Sequence, residues 1–291
     1  MNITTDTQEP IVAAVRNEIT VPRGALYFTA ACFAGPGKDW SLAPLQEPGD
    51  VKKNPVLADK LRKAVVSLGA DRLYAPTPIA SNGTSNGEII EPTMLNRPFV
   101  LGNGVLLFRN PKMPADGTFL RGAGDAGIFS AGGCGVIVAI LGDRLIFAHA
   151  GRESLIDRNR VLGGQGRRRE SVVDSIVEAF REFDSRADLR KLHAWVLYSI
   201  KPEDFFHRFD DQEHLKYNRL VGSDLEDRGL GAGVRQKIGG VELDLPVIAG
   251  AQFRRYGVPE RNIHLEHCYL AKELPTTRTD GGRYLVAIVR H

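Results

Sequence analysis

The chain has 291 residues, 43% of them hydrophobic and 25% charged, and a formal net charge of +3 from 38 basic and 35 acidic side chains. That near balance argues against a dedicated nucleic-acid binder, which carries a strong basic excess, and no apolar run reaches the ~18 residues that a membrane-spanning helix needs. Three widely spaced cysteines, Cys32, Cys134 and Cys268, make no disulfide framework; with no signal-peptide pattern at the N-terminus, they point to a reducing, cytoplasmic setting.

A chain of this size buries about three quarters of its unfolded surface, and one domain over 1–291 is expected. Residues 1–20 are polar and read as a mobile arm or a first strand. Residues 25–33 read as a strand with Cys32 packed as a small core hydrophobe. Residues 55–70 predict a helix with Val56, Leu57, Leu61, Ala64, Val65 and Leu68 on one face and Pro55 in its first turn. Residues 76–92 are rich in Pro, Ser, Asn and Gly and form a loop with a flexible tip at 81–87. It is a plain surface loop, a cover for a substrate or a domain seam. Residues 98–108 read as two short strands broken at Gly102-Asn103-Gly104, a turn that could present the Asn103 side chain. Gly122, Gly124 and Gly127 match the bare dinucleotide fingerprint, but a strand follows them where the motif needs a helix. They are expected instead to let the backbone pass close to Cys134.

The chain is organised around residues 130–154. Two apolar runs flank Gly142-Asp143, which suits a two-residue hairpin turn. That turn pairs Val138 with Phe147 and Val136 with His149, so Cys134 becomes the diagonal neighbour of His149, roughly 7–8 Å away between Cα atoms. Both hairpin faces are apolar, which predicts burial in the middle of a layered domain. Residues 171–183 are the strongest helix, with Ser171 and Asp174 spaced as a capping box. Arg167, Arg168 and Arg169 read as a solvated turn or an attraction for an acidic partner. Residues 192–200 read as a strand, 201–220 as a possible helix, 241–252 as extended, and 284–289 as the last strand. Together these predict a mixed α/β (α+β) single layered domain: a β-sandwich core of mixed sheets flanked by helices.

An imidazole beside a thiol lowers the thiol's pKa, pairs with the thiolate and can protonate a leaving group. Gly132, Gly133 and Gly135 leave backbone N–H groups open to stabilise an oxyanion. The bland alternative is a buried cysteine and a core histidine in a non-catalytic binding module.

Ser130, then Gly-Cys134, an apolar hairpin and His149-x-Gly151, with fifteen residues from cysteine to histidine, resembles the catalytic core of the cytotoxic necrotizing factor glutamine deamidases. His149-Ala150-Gly151-Arg152-Glu153 also resembles the His-Ala-Gly-Trp-Arg-Gly motif of the YfiH-like laccase-domain proteins. Residues 256–268 and 280–283 resemble that family's C-terminal end. The deamidase resemblance implies Cys134 as nucleophile, His149 as acid and base, and Asn103 and Ser130 as assistants. It also implies a backbone carbonyl near Leu101 that orients the histidine. The substrate would be a protein or small carboxamide, and no cofactor is implied. The laccase-domain resemblance implies purine nucleoside phosphorylase or polyphenol oxidase chemistry, with a metal on one cysteine and two histidines, one of them upstream of the cysteine. His149 is the first histidine of the chain, so that metal would need His193, His264 or His267, and Cys268 adjoins the last two.

Overall fold

A computed structural model describes residues 11–21, 24–34, 40–78, 87–95, 98–270 and 282–291. In chain order, β1 (Ile11–Val21) and β2 (Gly24–Ala34) lead to α1 (Asp50–Lys53), α2 (Pro55–Val66), β3 (Arg72–Tyr74) and β4 (Ile89–Ile90). Next come β5 (Phe99–Gly102), β6 (Val105–Phe108), β7 (Gly117–Leu120), β8 (Asp125–Ala131), β9 (Gly135–Leu141) and β10 (Arg144–Ala150). The second half holds α3 (Arg152–Leu155), α4 (Arg158–Val161), α5 (Val172–Phe183), β11 (His193–Leu197), β12 (Phe206–Arg208) and α6 (Leu215–Asp227). It closes with β13 (Val234–Lys237), β14 (Gly240–Leu243), α7 (Leu245–Arg255), β15 (Ile263–His264) and β16 (Tyr284–Arg290).

Two mixed sheets stack face to face. One has the order β1-β2-β16-β8-β3-β6-β5 and the other β15-β11-β9-β10-β7-β4, while β12, β14 and β13 form a small third sheet. Strand β3 is parallel to β6 and β8, and β11 to β15 and β4 to β7; the remaining pairs are antiparallel. The predicted hairpin register holds: Val138 pairs with Phe147 and Val136 with His149. Its two faces belong to two different cores. Val136, Val138, Ile140, Leu145 and Phe147 pack between the sheets with Phe28, Tyr284, Val286 and Ile288. Ile137, Ala139, Ile146 and Ala148 pack against α5, α6 and α7 through Val173, Ile176, Val221 and Ile248. A third core lies under α2, where Leu61 and Val65 meet Phe33, Leu285 and Ala287 on the outer face of the larger sheet. Helices thus cover both outer faces of a β-sandwich, the predicted fold class.

Several elements depart from expectation. Residues 11–21 are a paired strand, and residues 1–10 of the expected arm lie outside the described residues. The tip at 81–86 lies outside them too. Val56 is 80% exposed and not part of the α2 stripe. The stretch read as extended at 241–252 is β14 followed by α7, because the Asp244 side chain caps the helix by accepting from the Val247 N–H (3.3 Å) and Pro246 fits its first turn. Of the possible helix at 201–220, the α-helical part is 215–220, the start of α6; 202–204 is a single 3-10 turn and 206–208 is β12. Gly127 does not bring backbone to the thiol. It lies under the Phe147 ring, and a Cβ there would stand 2.1 Å from Phe147 Cδ1. Arg168 and Arg169 are ion-paired with Glu178, so the basic turn is neutralised locally.

Candidate active site

Cys134 sits at the open end of the hairpin, on the bend between β8 and β9. Its thiol faces the His149 ring: a Cβ at Gly151 would stand 2.8 Å from His149 Nε2 and 3.3 Å from Cys134 Sγ, so both groups border the same small space. The backbone beneath it is held from behind: Tyr284, fully buried, donates from its hydroxyl to the Cys134 carbonyl (3.1 Å) and the Tyr198 carbonyl (3.0 Å).

Two residues that the sequence reading missed hold the other side of the imidazole. Asp116, fully buried, lies 3.3 Å from His149 Nδ1 through Oδ1. Ser154 Oγ donates to that same Oδ1 (2.6 Å) and stands 2.9 Å from Nδ1. With the serine proton committed to the carboxylate, the serine oxygen accepts from Nδ1–H. This fixes the tautomer that turns Nε2 toward the thiol. The other Asp116 oxygen, Oδ2, accepts the Gly87 N–H (2.7 Å). Local folding accounts for the placement. Gly117 pairs with Ala148, and a Cβ at 117 would come within 2.5 Å of the Phe147 carbonyl, so β7 lies tight against β10. Asp116 is thereby drawn beside His149, whose N–H donates to the Asp116 carbonyl (2.7 Å). The single turn of α3 then folds Ser154 back under the ring.

Electrostatics follow from these contacts. Burial alone would raise the Cys134 thiol, but the His149 hydrogen bond and charge, with the charges of Arg152 and Arg283, bring it below its ordinary value. Burial alone would lower His149, and hydrogen bonds to Asp116 and Cys134, then their charges, raise it instead. A thiolate–imidazolium pair is the favoured state of such a couple. A cavity of about 340 Å³ opens onto it, lined among others by Pro76, Thr77, Arg109, Ser130, Gly132 and Arg283.

Of the residues read from sequence, Cys134, His149 and Ser130 converge on this cavity. Asn103 does not. It sits exposed on the β5–β6 turn at φ +49°, at the opposite end of β6 from the cavity-lining Arg109. Asparagine tolerates that left-handed backbone, which accounts for it in the turn. Leu101, near the expected orienting carbonyl, is buried under α2, and Asp116 with Ser154 orients the histidine instead.

The metal implied by the laccase-domain resemblance does not fit the donors. Cys134 and His149 face each other, and His149 Nδ1 is taken by Ser154 and Asp116. No group of three His, Cys, Asp or Glu among the described residues could hold a metal ion. His193 pairs with Ile140, six residues along β9 from Cys134, about 20 Å at strand rise. His193 Nδ1 lies 3.2 Å from His264 Nε2, beside Trp195, and His267 is exposed. Cys268 is buried, with its thiol pushed up to about 11.

No family model matches the chain, and no curated protein does. Solved structures do. YlmD from Geobacillus stearothermophilus is similar with a TM-score of 0.60 and 19% identity, over 91% of this chain and 92% of that one. The hypothetical protein YfiH of Bacillus licheniformis gives 0.56 and 17%, over 90% and 92%. A Neisseria meningitidis protein of family model DUF152 gives 0.55 and 14%, over 90% and 93%. The chain has the YfiH-like fold. The similarity supports that half of the resemblance read from sequence and lends none to the deamidase half.

Proposed function

We propose that this chain is an enzyme of the YfiH-like fold group whose reacting centre is a metal-free thiolate–imidazolium pair, with Cys134 the nucleophile and His149 the general acid and base. The observation that carries it is Cys134 facing His149 at one wall of a cavity, with Ser154 and Asp116 hydrogen-bonded behind the ring. Asp116 and Ser154 are positioning residues: they hold the ring and favour its protonated form. The carboxamide substrate follows from the Cys134-to-His149 resemblance. The thiolate attacks the carboxamide carbon, forming an S–C bond and an oxyanion. As the oxyanion collapses, the C–N bond breaks and His149 gives its proton to the departing ammonia. Water, deprotonated by the now neutral His149, then attacks the thioester. The S–C bond breaks, and the carboxylate and the thiolate are released.

A second reading has an observation of its own. The fold similarity extends over nine-tenths of the chain and favours a laccase-domain enzyme of the nucleoside phosphorylase or polyphenol oxidase type. A third metal ligand would then have to come from outside the described residues. One set of measurements separates the two: metal content of the purified protein, ammonia release from glutamine peptides, and nucleoside and phenol turnover before and after chelation, each repeated on Cys134→Ala. Ammonia release that survives chelation and vanishes in Cys134→Ala supports the first reading. Stoichiometric zinc or copper with chelator-sensitive nucleoside or phenol turnover overturns it in favour of the second.

A further inference from the structure

Three buried polar atoms on the wall of the Cys134 cavity have no hydrogen-bond partner among the described residues: Thr77 Oγ1, Arg109 Nε and Ser130 Oγ. Arg109 is the telling one. Its side chain is 8% exposed. It makes no ion pair among the described residues, and burial pushes its guanidinium down to about 10. A buried guanidinium without a carboxylate is costly, and such charges normally persist only when paired. Arg109 also borders a second cavity beside Glu47 and Phe99, but the two stray hydroxyls lie on the Cys134 side. Arg283 adds a second, exposed cation at the Cys134 cavity. None of its described lining residues is an aspartate or glutamate. Cations, hydroxyl donors and an absence of competing carboxylates on that lining are the donor set for an oxyanion.

We propose that this cavity is an oxyanion-binding subsite: the molecule that meets Cys134 carries a carboxylate or phosphate group, held by the Arg109 guanidinium and the Thr77 and Ser130 hydroxyls, with Arg283 attracting it. This deepens the reading of Cys134 as a reactive thiolate and rests on it only for what lies next to the anion. Arg109 takes the anchoring role because its fork can bind two oxygens at once. Ser130 thereby has a function that differs from assisting the histidine.

The test compares the alkylation of Cys134 by anionic iodoacetate and neutral iodoacetamide, each rate divided by that of a small free thiol. The subsite is expected to raise the iodoacetate-to-iodoacetamide ratio about tenfold, the scale of one charge-assisted hydrogen bond. The ratio returns toward the free-thiol value in Arg109→Gln, while the iodoacetamide rate holds. Inorganic phosphate or succinate protects Cys134 in the wild type, and whichever protects better tells phosphate from carboxylate. A ratio unchanged by Arg109→Gln, with no protection by either anion, overturns the subsite and leaves the thiolate reading standing. If Cys134 reacts with neither reagent, the thiolate reading falls. The subsite is then judged by whether phosphate or succinate raises the melting temperature of wild type but not of Arg109→Gln; no such rise overturns it. Should Arg109→Gln fail to fold, the exposed Arg283→Gln carries the ratio alone: losing a charge that lowers the Cys134 thiol slows both reagents equally and cancels in the ratio, and a smaller drop in the ratio is expected.

Discussion

At the scale of single residues, reactivity turns on which groups face Cys134 and His149. The Cys134 thiol is held below its ordinary value and the His149 ring above its own. The folded protein therefore holds more thiolate than the unfolded chain at pH values under the thiol's ordinary value, and loses it as pH falls through the lowered value. Unfolding returns the thiol to its ordinary value. At pH 7 the native protein should thus be labelled by iodoacetamide at Cys134 faster than the urea-unfolded chain. Cys32 and Cys268, whose thiols burial raises, should label only after unfolding. Mass spectrometry of the labelled peptides checks both. Asp116→Asn removes the charge that favours imidazolium, and it should slow labelling at pH 7 by about tenfold for each unit the thiol rises. The rate–pH profile should shift to higher pH, whereas a merely structural role would leave the inflection in place. Cys134 and His149 were legible in the sequence because a two-residue turn sets hairpin register locally. Asp116 was not, because it lies 33 residues before His149 and meets it only through the pairing of β7 with β10.

Among the elements, the strongest local signals carried through. Ser171 and Asp174 form the predicted capping box of α5, with Ser171 N–H donating to the Asp174 carboxylate (2.8 Å) and Asp174 N–H to Ser171 Oγ (3.3 Å). Ser171→Ala should cost about 1 kcal/mol, read as a lower urea midpoint with an unchanged slope. Helix α7 was misread because its apolar run carries no helical stripe. Residues 248–253 are buried all round, so periodicity has nothing to report. Its start signals, Asp244 and Pro246, were present in the sequence. Strand β8 touches β10 through Gly127, where the Phe147 ring occupies the space of a Cβ. Gly127→Ala should destabilise by about 1–3 kcal/mol through overpacking, measured by the same denaturation.

Across the whole molecule, the hairpin of β9 and β10 joins the inter-sheet core to the helical core, since its two faces belong to one each. Cores that share a strand pair unfold together, so a single cooperative transition is expected by near-ultraviolet circular dichroism and by calorimetry. The Phe147 ring lies tilted against Phe129, centroids 4.6 Å apart, in the inter-sheet core, and Phe147→Ala should cost about 3–5 kcal/mol while keeping one transition. Two separated transitions would instead show the cores to be independent. The same layering sets the site. Cys134, His149 and Ser130 reach the cavity from the central strands, and Thr77, Arg109 and Arg283 from loops at the same end of the larger sheet.

The sequence by itself determined what is local. Hairpin register, the α5 cap, the mixed α/β class and the meeting of Cys134 with His149 all follow from spacing within a few tens of residues. Tertiary structure alone decided the rest: Asp116 and Ser154 as the partners of the imidazole, Asn103 on a distant turn, and Arg109 buried on the cavity wall with no ion pair among the described residues. These depend on which strands lie side by side in two stacked sheets. Sheet order is set by the burial of faces summed over the whole chain, and no short stretch of sequence encodes it.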